Sequence, residues 1–399
     1  MKTARLSAML TLIMASAASI GSAHAEVSGN LSLQQRVFLE EPAYVNQTNS
    51  QLSGAVLASY ESSVGDNGFF TFTGFGRVDQ RDDERTHADI REAMYAHYFD
   101  KWEIRAGIGK VFWGQTESLH LVDIINQTDF VEEIDQEDKL GQPMIDIRYL
   151  LDSGSINFYL LPYFRERSFA GQDGRLRGIL PIDVDNALYE SEDEETNIDY
   201  AIRWQQSFGS LEFGLSYFDG TNRLPEIVFV EAENGAISLA PRYNLLQQGS
   251  IDAAYITGSW ILKLEALQGK TLDESFYAHV AGFEYTWVDF YGSGYDVGFL
   301  MEHQFDEREN DPLIFGQNDL MLGSRIQIND FYGSEVLLAF VQDLDESSSY
   351  SAFVEASTRL NQDWRVELNA YFFSSDEPSD PTFAIRRDDH VSLQIEYFF

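Results

Sequence analysis

Residues 391–399 alternate strictly between apolar and polar side chains, and the apolar positions end in Phe399. A period of two residues is the pattern of a β-strand that has one apolar and one polar face. A terminal Phe adds little to a soluble sheet, because chain ends are usually frayed and polar. The pattern therefore predicts a strand whose apolar face meets lipid. The alternative is the edge strand of a soluble sandwich.

Similar period-two segments recur from residue 27 onward, separated by connections that are alternately short and long. Short connections such as Asp100-Lys101 and Gly258-Ser259 alternate with long polar loops. A sheet that spans a bilayer must pair every backbone polar group within itself, which favours this arrangement. The predicted strands are residues 27–38, 52–60, 70–78, 89–99, 102–112, 144–150, 156–167, 198–206, 211–218, 243–257, 260–267, 278–288, 295–305, 319–328, 335–341, 350–359, 364–373 and 391–399.

These segments predict an all-β fold, a closed antiparallel transmembrane β-barrel of about 18 strands. Its turns would be short and periplasmic, and its loops long and extracellular. No linker or change of composition divides residues 26–399, so a single domain is expected. Residues 227–239, in one of the long loops, predict a further short apolar hairpin.

Residues 1–25 have the pattern of a cleavable signal peptide. Lys2 and Arg5 precede an apolar run, and Ala23-His24-Ala25 matches an A-x-A cleavage site. The run is too short for a mature membrane-spanning helix, and no later run approaches the required length. We therefore expect an exported chain that resides in a Gram-negative outer membrane.

The chain is strongly acidic. Its 27 basic residues, less Lys2 and Arg5, leave 25 against 65 acidic residues, a net charge of −40 after cleavage. This balance excludes nucleic-acid binding, which needs an excess of Lys and Arg. Acidic loops can hold divalent cations that bridge to lipopolysaccharide, or can simply be solvated. The partners expected are outer-membrane lipid and lipopolysaccharide and a small solute, and an oligomer is left open.

Candidate enzyme and cofactor chemistry is sparse. The sequence has no cysteine, which excludes disulfides and thiolate metal sites. The histidines are scattered, without metal-binding spacing and without a spacing that fixes a Ser/His pair. We predict no enzyme activity and no cofactor, although counting residues leaves a Ser/His/Asn hydrolase open.

A barrel of this size encloses more space than its side chains fill, so the inward residues decide what passes. Alternation places arginines inward over the first half of the sheet and glutamates over the second half. The predicted arginine wall comprises Arg77, Arg91, Arg105, Arg148, Arg165 and Arg203. The predicted acidic wall comprises Glu265, Glu284, Glu302, Glu355, Glu367 and Glu396.

The connection from Trp113 to Pro143 combines acidic with apolar residues, which a purely solvated loop would not need. We predict that it folds into the lumen as a constriction or plug. Opposed rows of charge would then create a transverse field that selects among solutes. The alternative is that these charges only fill a wide lumen and satisfy one another. The constriction acids predicted are Glu117, Asp123, Asp129, Glu132 and Glu133, paired with Arg91, Arg105, Arg148 and Arg165.

Two further positions invite a ligand. Trp113 stands at the root of this segment, where it could stack on a ligand or serve the structure alone. Asp183, Asp185 and Glu190 lie in a loop dense in oxygen ligands, which suggests calcium. That loop lacks the glycine of an EF-hand, and acidic runs are usually solvated, so no metal is predicted.

The end of the chain is similar to a known assembly element. Its alternating aromatic strand, with Tyr397 and Phe399, resembles the closing strand of outer-membrane β-barrels. The resemblance implies that these two residues are read by the barrel-assembly machinery.

A second resemblance rests on scattered pieces of the chain. They are residues 102–107 followed by Trp113-Gly114, then Asp123 and Asn126, and residues 239–243 leading into 260–266. Together they resemble the porin-like outer-membrane proteins related to alginate-export channels. The resemblance implies a large channel-type barrel and no particular solute.

The sequence thus predicts a porin-like outer-membrane channel for small polar or anionic solutes, attracted by the arginine wall. One alternative is a substrate-specific uptake or export barrel for a hydrophobic or polymeric ligand, gated by residues 113–143. Another is a structural or adhesive barrel whose acidic loops bind neighbours.

Overall fold

The structure, a computed structural model, describes residues 25–231, 237–308 and 311–399, so residues 1–24 of the predicted signal peptide lie outside it. Eighteen antiparallel strands form one sheet, and the first pairs with the last, which closes the sheet into a barrel. The prediction of an all-β closed barrel is confirmed. No helix within the described ranges is long and apolar enough to cross a membrane.

Strands are numbered here in chain order. The barrel consists of β1 (Ala25–Phe38), β2 (Ser50–Val64), β3 (Gly68–Asp79), β4 (Ala88–Phe99), β5 (Trp102–Gly109), β6 (Gln142–Leu151), β7 (Gly154–Leu161), β9 (Asp199–Phe208), β10 (Leu211–Thr221), β13 (Leu245–Thr257), β14 (Trp260–Lys270), β15 (Ser275–Trp287), β16 (Asp296–Asp306), β17 (Asn318–Gln327), β18 (Glu335–Asp343), β19 (Tyr350–Arg359), β20 (Trp364–Ser374) and β21 (His390–Phe398).

Three short strands in the long loops form a second sheet, which is not part of the barrel. It comprises β8 (Leu188–Tyr189), β11 (Glu226–Glu231) and β12 (Ile237–Tyr243). Strands β11 and β12 are antiparallel, as the predicted hairpin requires. One short helix, α1 (Pro381–Ile385), lies in the loop before β21.

For two strands the sequence predicts a later C-terminal end than the structure shows. Residues 110–112 and 162–167 continue an apolar pattern, but β5 ends at Gly109 and β7 ends at Leu161. Beyond these points Val111 packs on a buried hydrophobic cluster and Phe164 is buried. These residues are apolar because they are packed in the interior, although they are not hydrogen-bonded to a neighbouring strand. The apolar pattern therefore continues beyond the end of each strand.

The connections at the two ends of the barrel differ in length. At one end, the turn end, even the longest connection spans only residues 288–295. At the other, the loop end, residues 110–141 and 162–198 join neighbouring barrel strands. This asymmetry is the one that the sequence predicts.

The outer face of the barrel is apolar and its inner face is polar. On β1, Leu31 and Leu33 are exposed on the outside, whereas Gln34 and Arg36 are buried on the inside. On β1 the polar side is therefore the buried one, the reverse of a soluble sheet.

Aromatic pairs mark the outer face near the turn end. Each pair joins a Trp at the start of one strand to the directly opposite Tyr of its neighbour. Amphipathic rings at one level around a barrel are typical of the boundary between lipid and water. The pairs are Trp102–Tyr149, Trp260–Tyr285 and Trp364–Tyr397, with ring centroids 4.7, 4.7 and 5.0 Å apart.

The seam of the barrel lies between β21 and β1. The N–H of Gly29 donates to the carbonyl oxygen of Phe399 at 3.1 Å, and the N–H of Phe399 donates to that of Gly29 at 3.0 Å. A Cβ at Gly29 would lie 2.3 Å from the carbonyl oxygen of Leu57 and 2.9 Å from the Phe399 ring. The close approach of the β2 backbone therefore requires glycine at this position of β1. Recognition of Tyr397 and Phe399 by the assembly machinery stays a prediction.

Candidate functional site in the barrel lumen

Residues 110–141, called the lumen segment, connect β5 to β6 and contact inward side chains on opposite walls. Asn126 joins the two ends of the segment. Its Nδ2 donates to the carbonyl oxygens of Gly109 at 2.9 Å and Leu140 at 2.8 Å, and its Oδ1 accepts from the N–H of Val111 at 2.8 Å. The segment thus has a defined backbone fold of its own.

Residues 127–140 of the segment form a hairpin. The N–H of Asp129 donates to the carbonyl oxygen of Asp138 at 2.7 Å, and the N–H of Leu140 donates to that of Gln127 at 2.9 Å. The tip of the hairpin, residues 132–137, carries four of the segment's acids.

The apolar residues of the segment pack into the barrel. Val122 and Ile125 are fully buried, and they belong to a cluster that includes Tyr159 of β7 and Leu267 of β14. Burial of one such aliphatic side chain contributes about 2 kcal/mol. This packing accounts for the apolar residues that a solvated loop would not need.

Three ion pairs fix the hairpin to the wall formed by β1, β3 and β4. In each pair a buried arginine of the wall meets a carboxylate of the segment. The pairs are Arg36–Glu133 at 2.5 Å, Arg77–Glu132 at 2.6 Å and Arg91–Asp129 at 2.5 Å.

Arg85, in the loop between β3 and β4, holds the backbone of the same hairpin. Its Nε donates to the carbonyl oxygen of Val131 at 2.8 Å, and its Nη2 donates to that of Glu132 at 3.2 Å. Arg36 and Arg85 are absent from the site residues that the sequence predicts. Alternation could have found Arg36, which shares the inward face of β1 with Gln34, but Arg85 lies where no periodicity exists.

Two glutamates fix the other side of the segment to β14 and β16. Glu265 accepts from the N–H groups of Gln115 at 2.7 Å and Val122 at 3.2 Å. Glu302 accepts from the N–H groups of Glu117 at 2.9 Å and Ser118 at 2.8 Å. The sequence places both glutamates on the inward acidic wall but does not reveal that they anchor backbone.

Glu117 completes this second attachment. Its carboxylate pairs with Arg325 of β17 and lies 3.7 Å from Nζ of Lys263 on β14. The segment is therefore tied to arginines on one wall and to carboxylates and basic residues on the opposite wall.

Three of the four predicted pairings between wall arginines and segment acids are wrong. Arg91 meets an acid of the segment, Asp129, as predicted, but the other three arginines pair with acids of the barrel strands. Arg105 and Arg148 lie opposite acidic residues of the adjacent strand, and this register satisfies them locally. The observed pairs are Arg105–Asp146 at 2.5 Å, Arg148–Glu103 at 3.3 Å and Arg165–Asp89 at 2.6 Å.

Trp113 is not placed to stack on a ligand. Its side chain is 3 % exposed, with the Arg203 guanidinium 4.9 Å from the ring centroid and Tyr159 packed edge-on at 5.6 Å. Arg203 itself pairs with Asp252 at 2.7 Å, so its charge is also used within the structure.

The candidate calcium ligands do not converge. Asp183 accepts a hydrogen bond from Asn186 at 2.8 Å, and Glu190 accepts one from the N–H of Leu245 at 2.7 Å.

Asp123, a predicted constriction acid, is buried 3.4 Å from Nζ of Lys139. Its Oδ1 accepts from the N–H of Trp113 at 3.2 Å, so it shapes the segment and does not face a passage.

Another group of possible metal ligands comprises His87, Asp129 and Glu132, whose ligand atoms lie within 4.8 Å of one another. The carboxylates of this group are already bonded to Arg91 and Arg77. A divalent cation there would lie beside two guanidinium charges, so we assign no metal to it.

The anchored acids of the hairpin are held ionised. Burial alone would raise the pKa of Glu133, but the guanidinium groups of Arg36 and Arg85 lower it to about 2. Burial also opposes ionisation of Asp129, yet its contacts with His87 and Arg91 hold its pKa below the usual value.

Two other acids of the hairpin, Asp135 and Asp138, show the opposite shift of the pKa. Burial and the charges of Glu132 and Glu133 raise the pKa of Asp138 to about 6. Burial and the charge of Glu133 raise the pKa of Asp135 well above its usual value. Negative charge is therefore in excess around the tip of the hairpin.

Two of the cavities beside the lumen segment face the lumen wall. The inner cavity, about 510 Å³, lies toward the turn end between the segment and the inward faces of β18–β21 and β1–β3. The outer cavity, about 160 Å³, lies toward the loop end against β17–β20. Both are lined by Glu117, Asp135, Glu137, Leu337 and Glu355, and we call this shared ring the throat.

Neither protein-family models nor curated proteins match the sequence. Solved structures do match the fold. A BenF-like porin from Pseudomonas fluorescens Pf-5 has a TM-score of 0.58 at 9% identity, over 95% of this chain and 99% of that one. Pseudomonas aeruginosa OccK8 (OprE) has a TM-score of 0.55 at 10% identity, over 94% and 98%.

The similarity concerns the fold, which is that of outer-membrane porin barrels. The predicted resemblance to porin-like barrels is confirmed at this level. The narrower resemblance to alginate-export channels stays a prediction.

Proposed function

We propose that this protein is a passive outer-membrane channel for small polar solutes, which pass between the lumen segment and the wall formed by β17–β21. The observation that carries the proposal is the pair of cavities that share the throat. Both cavities lie beside the segment, and the inner one also reaches inward residues of β1–β3. A segment that leaves these spaces narrows the lumen and does not fill it.

The outer membrane is the proposed location because the barrel presents a continuous apolar outer face. Exposed aliphatic residues cover this face, and the Trp–Tyr pairs mark one of its boundaries. The long-loop end would then face outward and the turn end the periplasm, as in barrels of this fold.

The arginine wall gives less support to anionic solutes than the sequence alone suggests. Arg77 and Arg91 are buried and paired with the segment, and Arg203 is buried and paired with Asp252. Charges that are neutralised in this way exert little attraction on a passing anion. We therefore propose polar solutes without a preference for anions.

A gate that swings out of the lumen has no specific support. Opening would break the pairs with Arg77 and Arg91 on one side and the backbone hydrogen bonds to Glu265 and Glu302 on the other. It would also expose the buried cluster around Ile125.

The test is single-channel conductance of residues 26–399 refolded into a planar bilayer. We expect a steady open conductance that falls in Leu337→Trp, because this side chain narrows the throat. The matched control is Leu338→Trp, one residue along β18 on the exposed outer face. Absence of conductance in the wild type, or equal conductance in both variants, would reject the proposed route.

A further inference from the structure

We propose that the throat selects organic cations that carry an apolar or aromatic body, such as amphipathic amines. This inference rests on the proposed channel function and adds the chemical class of its solute. Two independent features of the lumen support it, an uncompensated negative charge at the throat and an apolar patch on the lumen wall beside it.

The charge at the throat is only partly neutralised. Glu117 is paired with Arg325, and Glu137 lies 3.8 Å from Nε2 of His120. Within the described ranges, Asp135 and Glu355 have no basic group within 4.0 Å; Asp135 accepts the N–H of Glu137 at 3.1 Å, and Glu355 accepts the hydroxyl of Tyr371 at 2.9 Å. Two acidic side chains therefore line the throat without a basic partner.

Acidic residues outnumber basic ones in the lining of the cavities on both sides of the throat. Seven acids line the outer cavity, and His120 is the single basic residue among the described residues that line it. A cation therefore gains attraction along the whole route, whereas an anion is repelled before it reaches the throat.

The inner cavity contains a carboxylate with unused bonding capacity. Glu396, on the inward face of β21, is 8 % exposed, and its Oε2 is buried without a hydrogen-bond partner among the residues described. The nearest guanidinium, that of Arg365, lies 3.8 Å away. A buried acceptor that lines a cavity and lacks a partner favours a donor brought by a solute.

An apolar patch lies on the lumen wall at the throat, where the inner face is otherwise polar. Leu337 and Met321 are buried in a cluster against which Val341 and Phe353 pack. These side chains, with Phe373, also line the outer cavity. Water gains nothing from this surface, but the apolar part of a solute would be desolvated against it.

Aromatic residues make the same patch favourable for positive charge. Phe353 and Tyr371 pack with their ring centroids 6.2 Å apart, and the Tyr371 hydroxyl is bonded to Glu355. An ammonium group next to Glu355 would therefore also lie near ring faces, which attract cations. The carboxylate and the rings together fit a solute with a charged end and an apolar end.

The experiment measures reversal potentials under bi-ionic conditions in planar bilayers. Phenethylammonium chloride, ethylammonium chloride and sodium phenylacetate are each compared with potassium chloride. We expect the channel to prefer cations to chloride, to pass phenethylammonium more readily than ethylammonium, and to exclude phenylacetate.

Two sets of variants separate the charge from the patch. Neutralising Asp135→Asn and Glu355→Gln together should lower the ratio of potassium to chloride permeability by about threefold or more. The matched control Glu192→Gln removes an acid from an exposed loop and should leave the ratio unchanged. Phe353→Gln should lower the phenethylammonium permeability while ethylammonium permeability stays constant.

The outcomes distinguish this inference from the channel proposal. A conducting wild type that prefers anions, or that does not respond to the neutralised throat, overturns the cation selectivity and leaves the channel intact. Equal passage of the two amines overturns the role of the apolar patch. A wild type without conductance overturns both proposals.

Discussion

Arg77 of β3 and Glu132 of the lumen segment form a bidentate ion pair inside the barrel. The Nε of Arg77 donates to both carboxylate oxygens at 2.8 and 2.9 Å, and its Nη2 donates to Oε2 at 2.6 Å. A planar guanidinium bound in this way fixes the orientation as well as the position of its partner. The hairpin that carries Asp135 and Glu137 of the throat is therefore positioned by Arg77 of β3.

Loss of this pair should release the hairpin. Arg77→Ala leaves the Glu132 carboxylate buried without its counter-charge, which typically costs about 3–5 kcal/mol. We expect a lower free energy of unfolding in urea and a larger, noisier single-channel conductance. Arg81→Ala removes an arginine from an exposed position in the adjacent loop and should change neither quantity. Equal effects of the two substitutions would contradict the anchoring role.

Glu265 should be required for the second attachment. Its carboxylate accepts backbone N–H groups of Gln115 and Val122 across the lumen. Glu265→Ala leaves these donors without a partner, and we expect a loss of at least about 2 kcal/mol in the free energy of unfolding. Hydrogen exchange of residues 113–122 should accelerate in the variant. Glu212→Ala, at an exposed position of β10, is the control that should leave exchange in this stretch unaltered.

Ion selectivity should depend on pH through Asp138. This residue lines the inner cavity beside Glu132, Glu133, Asp129 and Arg91, and its pKa is raised to about 6. As the pH falls through this value the carboxylate gains a proton, so the lumen loses negative charge and cation preference should decrease. Reversal potentials measured across this range test the expectation.

The corresponding variant removes the titrating group. Asp138→Asn should show a weaker pH response around 6 and, at higher pH, the reduced cation preference of the protonated wild type. Asp152→Asn, in an exposed turn, should retain the wild-type profile. An unchanged profile in Asp138→Asn would assign the response to another group.

Trp113 should support the segment without contributing to solute choice. Trp113→Ala removes a buried ring packed on Tyr159 and Arg203, a change that typically costs about 3–5 kcal/mol. We expect reduced stability, with permeability ratios among the phenethylammonium and ethylammonium ions unchanged in the channels that still fold. Phe112→Ala, at the exposed neighbouring position, should be nearly neutral. A selective loss of phenethylammonium passage in Trp113→Ala would restore a stacking role.

The barrel was predictable because its information is local. Each strand carries its own period of two, so alternation alone places Arg77 and Arg91 on the inner face and Phe399 on the outer one. Closure is also implied, since a bilayer leaves no sheet edge unpaired. The ends of β5 and β7 were less accessible, because Val111 and Phe164 remain apolar where the chain has already left the sheet.

The pairings inside the lumen depend on information that alternation does not contain. The register between β5 and β6 brings Arg105 opposite Asp146, and only knowledge of this register reveals that the arginine is satisfied. The path of the segment decides that Glu265 meets backbone N–H groups and that Asp135 lines the same cavities as Glu355 of β19. These contacts join residues that are distant in the sequence. The sequence pattern predicts the arginine wall and the acidic wall, but not which residues of each wall contact the segment.

The reciprocal hydrogen bonds between Gly29 and Phe399 impose an order on biogenesis. The ribosome makes β1 first and β21 last among the strands of residues 25–399. A partly synthesised chain therefore cannot close the barrel. Until β21 is available, the N–H and carbonyl groups of β1 that face it have no partner in the sheet, and an unpaired strand edge favours aggregation. We therefore expect the ring to close only after residues 25–399 have all been synthesised, whatever solute the finished pore transports.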